Sequence, residues 1–225
     1  MTDFIREVNE EVRQDRVRRV LERFWPVIAA AVVAVLVAVG GWKWAEADTA
    51  RKAEAASNQY LDALDLVRDG KADEAVSALK AVEASGTPGY RLLARFRLAG
   101  ETGSKDPKAG AGMFDALAAD PSVDPSLQEV ARLRAALLLV DLLPYPELKT
   151  RLAPLADANN PLRNPAREML ALAALKADQP AEAGVLLDQI EADSTVSGSL
   201  RQRAEALSGL VRGAGAVPTA PKPTP

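Results

Sequence analysis

The side chains of this chain that could do chemistry are carboxylates, lysines, arginines and tyrosines, because its 225 residues include no cysteine and no histidine. Thiol nucleophiles, disulfides, histidine-based acid–base catalysis and the usual zinc sites are therefore excluded. The sequence also contains no glycine-rich phosphate loop, nucleophile elbow or metal-ligand cluster. We expect no catalytic residue, no cofactor, no metal and no small-molecule substrate.

The carboxylates of Asp73 and Glu74 lie in the hexapeptide Gly70-Lys71-Ala72-Asp73-Glu74-Ala75. This hexapeptide resembles the turn between the two helices of a tetratricopeptide repeat, which gives both carboxylates a structural explanation. The same explanation applies to Glu182 beside Ala183. These acidic residues therefore indicate a repeat architecture and not an active site.

The elements that position these residues are predicted to be helices, since alanine and leucine are abundant and aromatic residues make up only 4% of the chain. Glycine, proline and asparagine separate the helical patterns, and Asp106-Pro107, Asp124-Pro125 and Asn164-Pro165 are typical helix starts. The predicted helices cover about 46–69, 72–84, 89–101, 107–119, 125–142, 146–157, 165–177, 180–192 and 199–212.

An apolar pattern recurs at intervals of 34, 39 and 35 residues when the second helices are aligned on one position. That position is occupied by Ala75, Ala109, Leu148 and Ala183. Apolar residues follow it four residues later, at Leu79, Met113, Leu152 and Leu187, and seven residues later, at Val82, Ala116, Leu155 and Ile190. A recurring helix pair cannot bury its apolar face alone, so the pattern predicts a stacked α-solenoid.

A leucine lies 11 residues before each aligned position, and one more extends the series, giving Leu64, Leu98, Leu137, Leu172 and Leu207. The preceding residue is small in four of the five cases, and Arg97 is the exception. These leucines form either part of the core or a groove for an extended peptide, and the core interpretation is favoured. Gly110 and Gly112 are expected to weaken the second helix of the second pair.

The 19 residues from Phe24 to Trp42 carry no charge, and a helix of that length spans roughly 28 Å, about the hydrocarbon thickness of a bilayer. We predict a transmembrane helix over 24–44, anchored at the two interfaces by Trp25, Trp42, Lys43 and Trp44. A cleaved signal ending near Ala45-Glu46-Ala47 is the alternative, but its apolar core would be unusually long. Ala30, Ala34 and Ala38 form a weak candidate contact for another transmembrane helix.

The leader before the span, residues 1–23, contains six arginines and is predicted to be a basic amphipathic helix. The 20 residues after the span contain three basic residues, so the positive-inside rule places the N-terminus in the cytoplasm and the repeat domain, 45–212, across the membrane. Residues 213–225 are rich in proline and are predicted to be a disordered tail. The net charge of −3 argues against nucleic-acid binding.

The arginine-rich leader, a span that opens at Trp25-Pro26 and the Gly70–Ala75 turn together resemble the YfgM family of ancillary Sec translocon subunits. The resemblance implies a bacterial inner-membrane protein with a periplasmic repeat domain. It also implies the SecYEG translocon, periplasmic chaperones and exported unfolded polypeptides as partners. A structural scaffold for another envelope complex, in division or outer-membrane assembly, is the alternative. The predicted fold is thus all-α: one transmembrane helix followed by a tetratricopeptide-like α-solenoid of about nine helices.

Overall fold

The computed structural model describes the backbone of residues 2–213 and the side chains of Trp25, Val27 and residues 29–213. Within that range the chain is all-helical, and the all-α prediction is confirmed. The helices are α1 (Thr2–Arg68), α2 (Ala72–Ser85), α3 (Pro88–Lys105), α4 (Pro107–Ala119), α5 (Pro125–Leu139), α6 (Tyr145–Ala156), α7 (Arg163–Lys176), α8 (Pro180–Glu191) and α9 (Gly198–Gly213).

Helix α1 includes the predicted leader, span and first repeat helix, which the sequence pattern had separated. By packing, the chain forms two compact units that divide between Ala55 and Ala56. In the first unit α1 is the helix from Thr2 to Ala55. In the second unit the remainder of α1 begins a series of helices that pack consecutively along the chain.

Short turns join the helices into antiparallel pairs, and the predicted turn at Gly70 is confirmed. Gly70 adopts a φ of 75°, a left-handed conformation that favours glycine, and Lys71 N–H donates to the Leu66 carbonyl at 2.9 Å. Asp178, with a φ of 56°, has the equivalent role after α7, where Gln179 N–H donates to the Ala174 carbonyl at 2.8 Å.

Two of the three predicted helix starts are confirmed by N-cap hydrogen bonds. The Asp106 carboxylate accepts from Lys108 N–H at 3.0 Å, and that of Asp124 accepts from Ser126 N–H at 2.8 Å. The prediction for Asn164 is wrong, because α7 begins at Arg163. The Asn164 amide instead donates to the Asp193 carboxylate at 2.9 Å, a contact made possible by tertiary packing.

The core consists of three apolar clusters that follow one another along the chain. Three of the four second helices match the predicted register, and α4 does not. In α4 the buried residues are Gly110, Phe114 and Leu117, each one position after the predicted Ala109, Met113 and Ala116. The buried positions therefore recur at 35, 38 and 35 residues, at Ala75, Gly110, Leu148 and Ala183.

The first helix of this pair is also displaced, which explains why Arg97 breaks the small-residue rule. The fully buried small residue of α3 is Ala99, and it corresponds to Ala63, Ala136 and Ala171 in the other pairs. Arg97 lies two positions earlier on a half-buried surface beside Glu101. A compact turn between α3 and α4 accounts for the shift in register, since Asp106 alone separates the two helices.

Gly103 and Gly110 bring α3 and α4 into close backbone contact. A Cβ on Gly110 would lie 2.3 Å from the Gly103 Cα, and one on Gly103 would lie 2.5 Å from a Leu138 methyl carbon. The expectation that Gly110 weakens α4 must therefore be corrected, since its missing side chain permits this helix crossing. Gly112 has no atom within 4 Å of an added Cβ and keeps only the cost of glycine in a helix.

Candidate interaction surface

The five leucines of the predicted series lie in three different environments. Leu98 is only 3% exposed and packs with Ala63, Leu79 and Val82 in the core. Leu137 on α5 and Leu172 on α7 are 57% and 44% exposed. Leu64 and Leu207 are half-buried. The register shift in α3 explains the burial of Leu98, because Gly100 occupies the position after the buried Ala99.

Leu137, Leu172 and Leu207 occupy equivalent positions on α5, α7 and α9, spaced by 35 residues. Four residues after the leucine, Lys176 Nζ donates to the Asp141 carboxylate at 2.7 Å. Four residues before it, Arg203 Nε donates to the Glu168 carboxylate at 2.6 Å. Since residues four apart share a helix face, the leucines and these ion pairs lie on one surface. We call these three leucines with the two ion pairs the leucine face.

The leucine face has no net charge, because each of its two cations is paired with a carboxylate. Lys176 and Asp141 are well exposed, so their pair contributes little to stability and mainly occupies the edge of the surface. The bidentate contact of Arg203 with Glu168 is better ordered, and its second bond is 3.0 Å long. Apolar contact is therefore what this surface offers to a ligand.

A second set of ion pairs links the second helices of neighbouring pairs. Arg151 on α6 donates to Asp115 on α4, and Lys149 on α6 donates to Glu182 on α8. The hydrogen bond from Lys149 lowers the pKa of Glu182, and burial, followed by the Glu182 carboxylate, raises the pKa of Tyr145. Glu182 thus joins two repeats, in agreement with its structural explanation.

The carboxylate of Asp73 is also engaged in an inter-helix contact. It accepts from Lys105 Nζ at 2.6 Å, and this hydrogen bond lowers the pKa of Asp73. Asp73 is highly exposed, with no cleft or nucleophile beside it in the part of the chain that the structure describes. Among the described residues, no group of three or more acidic side chains is arranged to hold a metal ion.

Arginines that cap helix ends recur along the solenoid and were not predicted. Arg132, Arg167 and Arg201 lie in α5, α7 and α9, and each donates to a carbonyl at the end of the preceding second helix. The acceptors are Ala118 at 3.3 Å, Ala156 at 3.2 Å and Glu191 at 2.9 Å. The cation satisfies an unpaired carbonyl and complements the negative end of the helix dipole. Their spacing of 35 and 34 residues was the available signal in the sequence.

Arg95 occupies the matching position on α3 but pairs with Asp120 at 2.7 Å. Hydrogen bonds from Ser122 and then from Arg95 lower the pKa of Asp120 to about 2. Together with Arg91 and Glu83 these residues line a cleft of about 630 Å³. A smaller cleft of about 310 Å³ lies beside Arg132. Because the acidic and basic groups in the linings are of both signs, neither cleft has the one-sided charge of an ion-binding site.

The predicted anchor residues lie on α1 and are exposed. Trp25, Trp42 and Trp44 are all more than 60% accessible, and Lys43 pairs with Glu46 at 2.9 Å. Ala30, Ala34 and Ala38 are also exposed along the helix. From Ala29 onward, α1 is long and apolar enough to cross a membrane, a property that secretory signal sequences share. The leader side chains and the tail from residue 214 lie outside the described residues.

A protein-family model described as a tetratricopeptide repeat-like domain matches residues 18–159. The chain belongs to this family. Searches of curated proteins and of solved structures gave no match. The matched region ends before α7, yet α7 and α8 repeat the same burial pattern at Ala171, Ala183 and Leu187. The tetratricopeptide-like array therefore continues to α8, and α9 packs against its end.

In tetratricopeptide-like terms, α3, α5 and α7 are first helices of their repeats, and α2, α4, α6 and α8 are second helices. The C-terminal part of α1 and the whole of α9 complete the first-helix series. Stacked repeats of this kind present extended binding surfaces, and such domains are protein-interaction modules. The leucine face lies on three neighbouring members of the first-helix series.

Proposed function

We propose that this chain is a membrane-tethered, non-enzymatic interaction module whose leucine face binds extended segments of other polypeptides. The observation that carries the proposal is the exposure of Leu137 and Leu172 at equivalent positions on adjacent helices. Solvent-exposed leucines are common singly, but a repeated row that is flanked by paired charges is a feature of interaction surfaces. The other five-leucine member of the series on α3, Leu98, belongs to the core and is excluded from this surface.

The partners we propose are the SecYEG translocon, exported unfolded polypeptides and periplasmic chaperones. Three features support this: the resemblance to the YfgM family, the arginine-rich leader before an apolar helix, and membership of the tetratricopeptide repeat-like family. The chain would lie in a bacterial inner membrane with its N-terminus in the cytoplasm and its repeats in the periplasm. Polypeptides leaving the channel would meet the repeat surface first.

Tethering explains how a modest surface is sufficient for this function. Confinement beside the membrane raises the effective concentration of the repeats near a channel partner. Three leucines and no aromatic anchor provide weak binding, which suits transient contact with many different polypeptides. A tight, stoichiometric scaffold would need a larger and better-packed surface.

Photocrosslinking in cells tests this function. A photoreactive amino acid replaces Leu137 or Leu172, and Val185 provides the matched control because it is 58% exposed on α8, a second helix. We expect the first two positions to capture a stalled export intermediate, and the Val185 position not to do so. SecYEG subunits should copurify with the full-length chain in mild detergent. Equal capture from all three positions, or one stoichiometric partner without export intermediates, would contradict the proposal and favour an envelope scaffold.

Protease digestion of spheroplasts tests the proposed orientation separately. We expect external protease to degrade the repeat domain and to leave a protected fragment that contains the leader and the span. Loss of the leader alone would reverse the orientation. A soluble product that begins after Ala47 would instead identify a cleaved signal sequence.

A further inference from the structure

The leucine face crosses three helices that run in the same direction. Short turns make consecutive helices antiparallel, so every second helix of the array is parallel. Leu137, Leu172 and Leu207 are therefore arranged across α5, α7 and α9, and a ligand that touches all three must cross the helix axes. The inter-helix ion pairs Asp141–Lys176 and Glu168–Arg203 show that these helices are direct neighbours.

The distance between neighbouring packed helices selects the spacing of side chains in such a ligand. Packed helix axes are about 8–10 Å apart. A polyproline II segment advances about 3.1 Å per residue and has three residues per turn, so every third side chain returns to the same side after about 9 Å. A β-strand returns side chains to one face every second residue, after only about 6.6 Å. The polyproline II spacing fits the helix spacing and the β-strand spacing does not.

The charges at the edges of the face also restrict the ligand. Both carboxylates of the leucine face already accept from a cation. A charged ligand side chain placed between the leucines would be partly desolvated without an unpaired partner, and this is unfavourable. The positions that contact the leucines should therefore be uncharged and aliphatic.

We infer that the leucine face recognises uncharged polyproline II-like segments that carry an aliphatic side chain at every third residue. This inference rests on the proposed function, since it describes the ligand of the same surface. It adds a sequence rule: aliphatic residues at positions i, i+3 and i+6 contact Leu207, Leu172 and Leu137, in either chain direction. The bound segment needs no regular hydrogen bonding to the helices, because a polyproline II backbone remains solvated.

Fluorescence anisotropy with defined peptides tests the rule on the full-length protein in nanodiscs. Three labelled peptides contain three leucines each in an identical serine, proline and glycine composition, with leucines spaced by two, three or four residues. We expect the three-residue spacing to bind at least five times more tightly than the other two. Affinities within twofold of one another would overturn the inference.

Two further arms identify the source of any binding. An unlabelled peptide of residues 214–225, which has Val217, Ala220 and Pro223 at three-residue spacing, is added as a competitor. If it binds more tightly than the three-residue leucine peptide, an intramolecular occupant replaces the partner segment and the inference is overturned. Binding that ignores spacing, combined with cellular crosslinks at Leu172, would reject the rule alone. Spacing-dependent binding without export crosslinks would reject the proposed partners alone.

Discussion

Gly110 of α4 lies directly against Gly103 of α3, so closely that a methyl group on Gly110 would be 2.3 Å from the Gly103 Cα. Replacing Gly110 by alanine must push the two helix backbones apart. We expect Gly110→Ala to lower the free energy of unfolding by about 1–3 kcal/mol. Urea unfolding of the full-length protein in mild detergent, followed by circular dichroism, measures this change.

Gly112 provides the matched control two residues away, since it is exposed on α4 and has open space around an added Cβ. We expect Gly112→Ala to raise the free energy of unfolding by about 0.5–1 kcal/mol, because alanine is the better helix former. Stabilisation by both substitutions would show that α3 and α4 do not cross at these glycines.

The environments within the leucine series predict opposite outcomes for the same substitution. Leu98→Ala should cost about 2–5 kcal/mol of unfolding free energy, because it leaves a cavity beside Leu79 and Val82. Leu137→Ala should change it by less than about 0.5 kcal/mol, as is usual for an exposed side chain. The midpoints of urea unfolding distinguish the two. Similar losses at both positions would place Leu137 in the core.

The capping arginines predict a stabilising role that exposed arginines do not share. Arg167 is 8% exposed and its Nε donates to the Ala156 carbonyl. Arg167→Met should lower the free energy of unfolding by about 1.5–3 kcal/mol, the usual range for a hydrogen bond with a charged partner. Arg134→Met, on the exposed side of α5, is the control and should have little effect. The cap would be unimportant if the two variants unfolded alike.

Asp193 predicts a stability change at acid pH. Arg163 Nε donates to its carboxylate at 2.6 Å, with further hydrogen bonds from Thr195 and Asn164, and these lower the pKa of Asp193 far below its usual value. A lowered folded-state pKa means that the carboxylate stabilises the fold above about pH 4, and that this contribution is lost as the pH falls below that value.

Asp193→Asn should therefore be less stable than the wild type at pH 7, and the difference should shrink as the pH is lowered from about 4 to 2. Thermal unfolding of both proteins across this range measures it. Asp188→Asn removes an exposed carboxylate of α8 and should leave the pH profile of stability close to that of the wild type. A constant difference between wild type and Asp193→Asn at all pH values would contradict the assignment.

The sequence was sufficient for the helix type, the turn at Gly70 and the repeat period, because each depends on local propensity or on one repeated apolar face. It was insufficient for the register of the second repeat. Phe114 and Met113 are both apolar, and only the close contact of Gly103 with Gly110 determines which of the two is buried. Arg97 was the sign of this shift within the sequence.

The candidate surface was less predictable than the fold, since leucine at helical spacing is compatible with core and surface alike. Equivalent leucines differ here because Leu98 lies in a displaced helix, whereas Leu137 and Leu172 lie in helices of regular register. The arginine caps were missed for another reason. Arg132, Arg167 and Arg201 look like surface charges in a helical pattern, and their acceptors are carbonyl groups that any sequence would contain.

The most direct test of the account is the affinity of the full-length protein in nanodiscs for a fluorescent, chemically unfolded polypeptide. The double substitution of Leu137→Ser and Leu172→Ser should weaken binding at least tenfold, whereas Val185→Ser should change it less than twofold. Circular dichroism of each variant checks that the fold is retained. Unchanged binding by the double variant, or equal loss in the Val185→Ser control, would contradict the claim that the leucine face binds polypeptides.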